Sequence, residues 1–320
     1  MLALPLAGAF APLASAAQPT PAAVPPLALA PAAHRPGASS STMLAATRAG
    51  RRLVAVGERG TILLSDDDGA TFRQADGVPV SSTLTGVSFV DDREGWAVGH
   101  AGVVLHSQDG GRSWSLQRSD LGHDQPLLAV HFFDARRGVA VGLWSLVIAT
   151  RDGGRSWQTV TLPAPQGAAK SDLNLYGLFA GPGGEVYACA EQGRLLRSAD
   201  VGLTWQVLQT GYRGSLWTGA VLGDGTLLVG GLRGTLLRSA DAGASWKTVS
   251  STAKSSITGI AQAADGRVIA SALDGVVLTS RDAQAFDATQ SDDRVAYTAV
   301  VMGAAGKPVL MSRNGPKALP

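Results

Sequence analysis

Apolar and polar residues alternate along most of this chain in short runs with a period near two, broken by glycine-centred turns. From residue 43 onward one frame keeps returning. An apolar strand leads through a turn to a second apolar strand that ends in a Gly-x-x-Gly-like corner, and a third apolar strand, a polar hairpin and a fourth strand follow. In the second copy these strands are LTGVSFV, GWAVG, VVLHS and WSLQR. Small residues in the first strands, Ala45, Gly86, Ala129, Gly177, Gly219, Gly259 and Ala299, recur every 40 to 48 residues. That spacing is the length of a four-stranded propeller blade. The pattern predicts an all-β, seven-bladed propeller over residues 42–320, with small residues where the innermost strands converge on a central channel.

The polar hairpin carries its own motif: SDDDGATF from Ser65, SQDGGRSW from Ser107, TRDGGRSW from Thr150, SADVGLTW from Ser198 and SADAGASW from Ser239. All five fit S/T-x-D-x-G-x-S/T-W/F. A sixth, SRDAQAF from Ser280, keeps the serine and aspartate and reads as having Gln284 in the glycine's place. The aspartates Asp67, Asp109, Asp152, Asp200, Asp241 and Asp282 suit the acceptance of backbone N–H groups across a tight turn, while the glycine permits its left-handed conformation. Because the motif repeats around the ring, these aspartates are read as structural, and no catalytic residue is assigned. The seventh copy, YTAVVMGAAGKPVLMSRNGPKALP, stops after two strands and the start of a third. Part of the segment before Thr42 is therefore expected to add its outer strand, so that deletion of residues 18–41 lowers the melting temperature.

Composition narrows the function classes. With 45% hydrophobic and 16% charged residues among 320, the chain can bury a large core. A net charge of +2 gives no single-signed field that would favour nucleic acid. Cys189 is the lone cysteine, so no intramolecular disulfide and no thiolate cluster can form. Residues 1–17 read as a signal peptide, apolar and ending in Ala14-Ser15-Ala16, although a leading Lys or Arg is missing. Residues 18–41, rich in Pro and Ala, read as a linker. The expected location is periplasmic or secreted. The histidines His34, His100, His106, His123 and His131 show no metal-binding spacing, and neither a metal nor any cofactor is expected. A sialidase-like glycosidase is a rival reading, requiring three arginines, an acidic residue and a tyrosine nucleophile with a Glu neighbour. No Arg-Ile-Pro motif opens the domain, and none of Tyr176, Tyr187, Tyr212 and Tyr297 has an evident Glu partner in the sequence.

The hairpin motif resembles the Asp-box or BNR repeat. Together with the frame G-W-A-V-G-x-x-G-x-x-L-x-S-x-D-G-G-x-S-W from Gly95 to Trp114, it makes residues 43–315 resemble the photosystem II stability/assembly factor family. That resemblance implies an exported, non-enzymatic seven-bladed propeller that assists assembly of a membrane complex and takes a membrane protein subunit, not a small molecule, as its partner. Relatives occur in bacteria without photosystems, so service to another cell-envelope transport complex is the alternative. The family's arginine-rich surface directs attention to the corners between second and third strands, which hold Arg59, His100, Trp144, Glu191, Arg233, Asp274 and Arg313. The loops between blades, with His123, Asp124, Lys170, Asp172, Tyr212 and Arg213, are expected on the same face, opposite the aspartate hairpins.

Overall fold

The computed structural model describes residues 29–123, 125–164 and 171–319. Seven antiparallel sheets stand around an axis. Their innermost strands are Met43–Ala49, Leu84–Phe89, Leu127–Phe132, Leu175–Ala180, Leu216–Val221, Ile257–Gln262 and Tyr297–Met302. Each packs against the next, and the seventh packs against the first, so the ring is closed. Second strands such as Gly95–Gly99 and Val186–Ala190 are buried at every residue, because a neighbouring sheet covers each face. They accordingly read as apolar runs where a half-exposed strand would alternate.

All seven innermost strands carry a β-bulge at the same place, one residue after the start of pairing. The bulged residues are Leu44, Thr85, Leu128, Tyr176, Trp217, Thr258 and Thr298. Where the residue is threonine, its hydroxyl ties one blade to the next. Thr85 Oγ1 donates to Leu127 O at 2.7 Å, Thr258 Oγ1 to Tyr297 O at 2.9 Å and Thr298 Oγ1 to Met43 O at 2.6 Å. The last of these joins the two ends of the propeller with the same bond used inside the ring.

The bulge also corrects one assignment. In the fifth blade Leu216 pairs with Gly231 and Thr218 with Gly230, so Thr218, not Gly219, is the counterpart of Gly86. Gly219 is small for another reason: a Cβ there would lie 2.4 Å from the Phe179 ring of the preceding blade. At Gly177 and Gly86 the expected crowding does occur. A Cβ would meet Trp217 O at 2.4 Å in the first case and Ala129 Cα at 3.0 Å in the second.

Among the described residues the seventh sheet has three strands, Tyr297–Met302, Pro308–Ser312 and Lys317–Ala318. Residues 29–41 do not complete it as a strand. They run along the first blade, where Ala32 N donates to Val78 O and the Gln74 side chain brackets Ala33 and Arg35. The short 3-10 turn Ala38–Ser40 then wedges against the Gly315 corner of the seventh blade, with Ala38 buried beside Met43 and Met311. Proline and alanine leave these residues without strand pairing, yet small enough to cover an outer edge. Thus part of the stretch read as a linker is packed structure. The remainder, residues 18–28, lies outside the described residues, as does the signal peptide. The sixth blade gains an unexpected fifth strand, Ser250–Ser251, parallel to its outer strand Ala285–Gln290.

In the aspartate hairpins one pattern repeats. Asp241 Oδ1 accepts from Ser239 Oγ at 2.7 Å and from Ser245 N at 2.8 Å, while Oδ2 accepts from Ser245 Oγ at 2.6 Å. Both oxygens are thereby occupied within the turn. Hydrogen bonds from the residue two positions past the glycine, its hydroxyl first and then its backbone N–H, hold the carboxyls of Asp67, Asp152 and Asp241 at about 2. The hairpin glycines reach further: Gly202 abuts Val139 and Gly69 abuts Val309, each on the preceding blade. In the sixth blade the turn is one residue shorter. Ala283, with φ of 56°, donates its N–H to Ser280 Oγ, so the glycine's place is contracted away and Gln284 does not fill it.

The carboxyls' folded values lie below the ordinary 3.8, so their stabilising contribution is complete above about pH 4 and disappears as pH falls through about 2. The melting temperature should fall across that window. An Asp241→Asn variant should show a shallower fall than the parent chain when followed by circular dichroism.

Candidate partner-binding face

Because each blade runs up, down, up and down, the corner between its second and third strands lies at the same end as the connection to the next blade. Seven equivalent backbone bonds fix this arrangement. The first corner residue donates its N–H to the carbonyl just before the same blade's innermost strand: Glu58 to Thr42, His100 to Thr83, Leu143 to Pro126, Glu191 to Asn174, Leu232 to Ser215, Leu273 to Ser256 and Arg313 to Ala296, all at 2.9–3.4 Å. The corner tips therefore stand on a rigid ring around the channel mouth. The aspartate hairpins occupy the opposite face.

The candidate residues fall into two sets on this ring. Arg59, Trp144, Arg233 and Asp274 sit at the tip itself, in left-handed backbone with φ of 54–58°. His100, Glu191 and Arg313 sit one residue earlier, where the N–H is tied down. The next residues are Ala101 and Gln192, left-handed tips like the first four, and Asn314, which occupies the same place without positive φ; spacing alone did not single them out. The signal for them is the glycine that follows the tip in six corners: Gly60, Gly102, Gly193, Gly234, Gly275 and Gly315, each with positive φ.

On this face the exposed Asp172 and Asp292 form no ion pair among the described residues, and Arg118 and Lys317 pair with Asp120 and Asp293, while three further acids are engaged by neutral donors. Glu191 accepts from Asn174 N and Nδ2, Asp274 from Ser255 Oγ, and Glu58 from Thr42 N. The exposed guanidinium groups of Arg59, Arg213, Arg233, Arg294 and Arg313 form no ion pair among the described residues. Tyr212 is half-buried, its hydroxyl donating to Leu232 O at 3.3 Å. His123 and Asp172 are exposed in loops on this face, with His123 Nδ1 and Asp120 Oδ1 3.0 Å apart. Asp124 and Lys170 lie outside the described residues. The channel itself encloses about 270 Å³ and is lined by the seven innermost strands, without a charged side chain.

For enzyme chemistry the arrangement offers little. Tyr187 does have a Glu partner that the sequence did not reveal: its hydroxyl donates to Glu185 Oε2 at 3.1 Å, and Glu185 also pairs with Arg197. The ring, however, is buried and stacked on Phe179 at 5.0 Å, and burial together with Glu185 raises the phenol's pKa. A nucleophile needs the opposite shift. The fully buried Cys189 thiol is likewise pushed up by desolvation. Among the described residues no group of three or more His, Cys, Asp or Glu could hold a metal, and no helix is long and apolar enough to cross a membrane.

Comparison with known proteins settles the family. The model for photosynthesis system II assembly factor YCF48 matches residues 74–166 and 116–287, together two thirds of the chain. The chain belongs to the YCF48 family. Among solved structures, one described as YCF48 bound to D1 peptide is similar with a TM-score of 0.70 and 19% identity, covering 90% of this chain and 97% of that one. YCF48 from Cyanidioschyzon merolae is similar with a TM-score of 0.69 and 17% identity, covering 87% and 94%. The extracellular domain of a one-component system from B. thetaiotaomicron shares the fold at a TM-score of 0.68 and 12% identity, covering 91% of this chain and 39% of that one. A search of curated proteins finds no match. Membership of the YCF48 family makes the chain a propeller of the assembly-factor type.

Proposed function

We propose that this propeller is an exported, non-enzymatic scaffold whose corner face holds a membrane protein subunit at the periplasmic or lumenal side during assembly of its complex. The observation that carries the reading is the ring of corners, fixed by seven equivalent backbone bonds and bearing the uncommitted arginines Arg59, Arg233 and Arg313. A rigid ring loses little entropy on binding, and unpaired guanidinium groups can form bidentate bonds to carboxylates of a client. The D1 peptide named with the solved relative supports a membrane-subunit client of this kind.

The test compares the parent chain with an Arg59→Ala, Arg233→Ala, Arg313→Ala variant in capture of complexes from the host envelope. A second variant, Arg51→Ala, Arg112→Ala, Arg155→Ala, removes three exposed arginines from the opposite face. Loss of three surface charge contacts should weaken capture by roughly 10- to 30-fold in the first variant and little in the second. Equal capture by both variants would move the site off the corner face. The subunit recovered, photosynthetic or of a transport complex, identifies the client.

A further inference from the structure

The corner of the third blade breaks the sevenfold pattern. At six corners the tip is followed by glycine, but here Trp144 is followed by Ser145, and both have positive φ, 54° and 58°. Left-handed backbone is unfavourable for a non-glycine residue. Nothing in the sevenfold geometry demands that cost at Ser145, where the other six corners carry glycine, whereas the left-handed tip at Trp144 is shared with Arg59, Ala101, Gln192, Arg233 and Asp274. The corner is nevertheless held firmly. Trp144 N donates to Asn174 Oδ1 at 3.1 Å, Asn174 is gripped in turn by Glu191, and Ser145 N donates to Leu173 O at 2.7 Å. This latch presents an indole that is 50% exposed, the most exposed of the large apolar side chains among the described residues. Leu121, 40% exposed, stands on the same face in the loop leading into that blade. A preorganised, exposed tryptophan at a corner whose next residue, Ser145, carries unusual strain is the signature of a binding anchor.

Charge is distributed in a complementary way. The uncommitted cations Arg213, Arg233, Lys254, Arg294, Arg313 and Arg59 follow the ring from the fifth blade round to the first and outnumber the exposed acids Asp274 and Asp292 on the same arc. The arc through the second to fourth blades carries instead Trp144, Leu121, Asp172 and the latched Glu191. Resting on the scaffold reading above, we propose that the client segment is amphipathic: its acidic end lies over the arginine arc, and an apolar side chain packs on Trp144. A fixed indole favours a protein segment over a lipid surface, where a loosely held side chain would serve as well.

The test uses fluorescent synthetic peptides of about 15 residues of one composition, either segregated into an acidic and an apolar block or scrambled, with anisotropy read at low and high salt. The block peptide should bind the parent chain at least about tenfold more tightly than the scrambled one. Trp144→Gly should weaken binding of the block peptide roughly 10- to 100-fold at both salt concentrations. The same substitution should leave the melting temperature unchanged or raise it, because glycine relieves the strained backbone. The arginine triple variant should lose mainly the salt-sensitive part. Equal binding by Trp144→Gly and the parent overturns the inference, even if the arginine variant fails and the scaffold reading stands. Equal binding of block and scrambled peptides overturns it too. So does attachment to phosphatidylglycerol vesicles with no peptide binding, or capture of an envelope complex by a chain that ignores every peptide.

Discussion

Replacing Trp96 by alanine should destabilise the propeller by about 3–5 kcal/mol, which lowers the melting temperature by on the order of 10 °C. Trp96 is fully buried in the second blade, stacked on Phe132 of the third blade at 3.5 Å and on His106 at 4.9 Å. Its indole Nε1 donates to Gly153 O at 3.1 Å, inside the next blade's aspartate hairpin. One side chain thus joins two sheets by packing and by a hydrogen bond. Alanine would leave a cavity at the interface and remove one of the donors to that carbonyl, Gln117 Nε2 being the other. Differential scanning calorimetry gives the number directly. A loss below about 1 kcal/mol would mean that the blades hold together by other means.

The second large effect concerns a glycine whose task is hidden in a repeat. Gly202 has φ of 87°, and a Cβ added there would lie 2.8 Å from Val139 Cβ on the preceding blade. Alanine at this position should cost about 1–2 kcal/mol for the left-handed backbone and a further 1–3 kcal/mol for the collision. Gly266 supplies the control, because its φ is 88° and nothing lies within 4 Å of its would-be Cβ. Gly266→Ala should incur the backbone part alone. The difference between the two variants, read from denaturant midpoints, isolates the contact between blades. Equal losses would reduce the hairpin glycine to a turn former.

Most of the fold was legible because a propeller states itself seven times: any one strand is ambiguous, but seven copies of a frame at 40–48 residues are not. What escaped lay in register and in partners distant along the chain. The bulge moves every side chain after it by one position, so the small residue nearest the expected place, Gly219, was preferred to Thr218, which occupies it. The seventh blade's missing outer strand points to a donor from the N-terminal segment, yet residues 29–41 run along the first blade, bonding to Gln74 and Val78 39 to 46 residues away along the chain. No local pattern encodes that choice.

The candidate face was legible as a set of loops at one end of the ring. Its chemistry was less so. Spacing placed Arg59 and Arg313 together although one is a tip and the other the residue before it. Whether a charged side chain is committed or available depends on neighbours such as Asn174 for Glu191 and Ser255 for Asp274. The exposure of Trp144 and the left-handed backbone of Ser145 likewise emerge only from the structure, although the missing glycine is visible in the sequence as Ser145.

The most direct test of the scaffold reading is photo-crosslinking in the native host, with a photoreactive amino acid placed in turn at Gln192, Arg233 and Asn314 on the corner face and at Arg155, Arg281 and Lys307 on the opposite face. The expected result is a crosslink to one membrane subunit from the first three positions and none from the others. Crosslinks to that subunit only from Arg155, Arg281 or Lys307 would place the client on the aspartate-hairpin face and contradict the assignment.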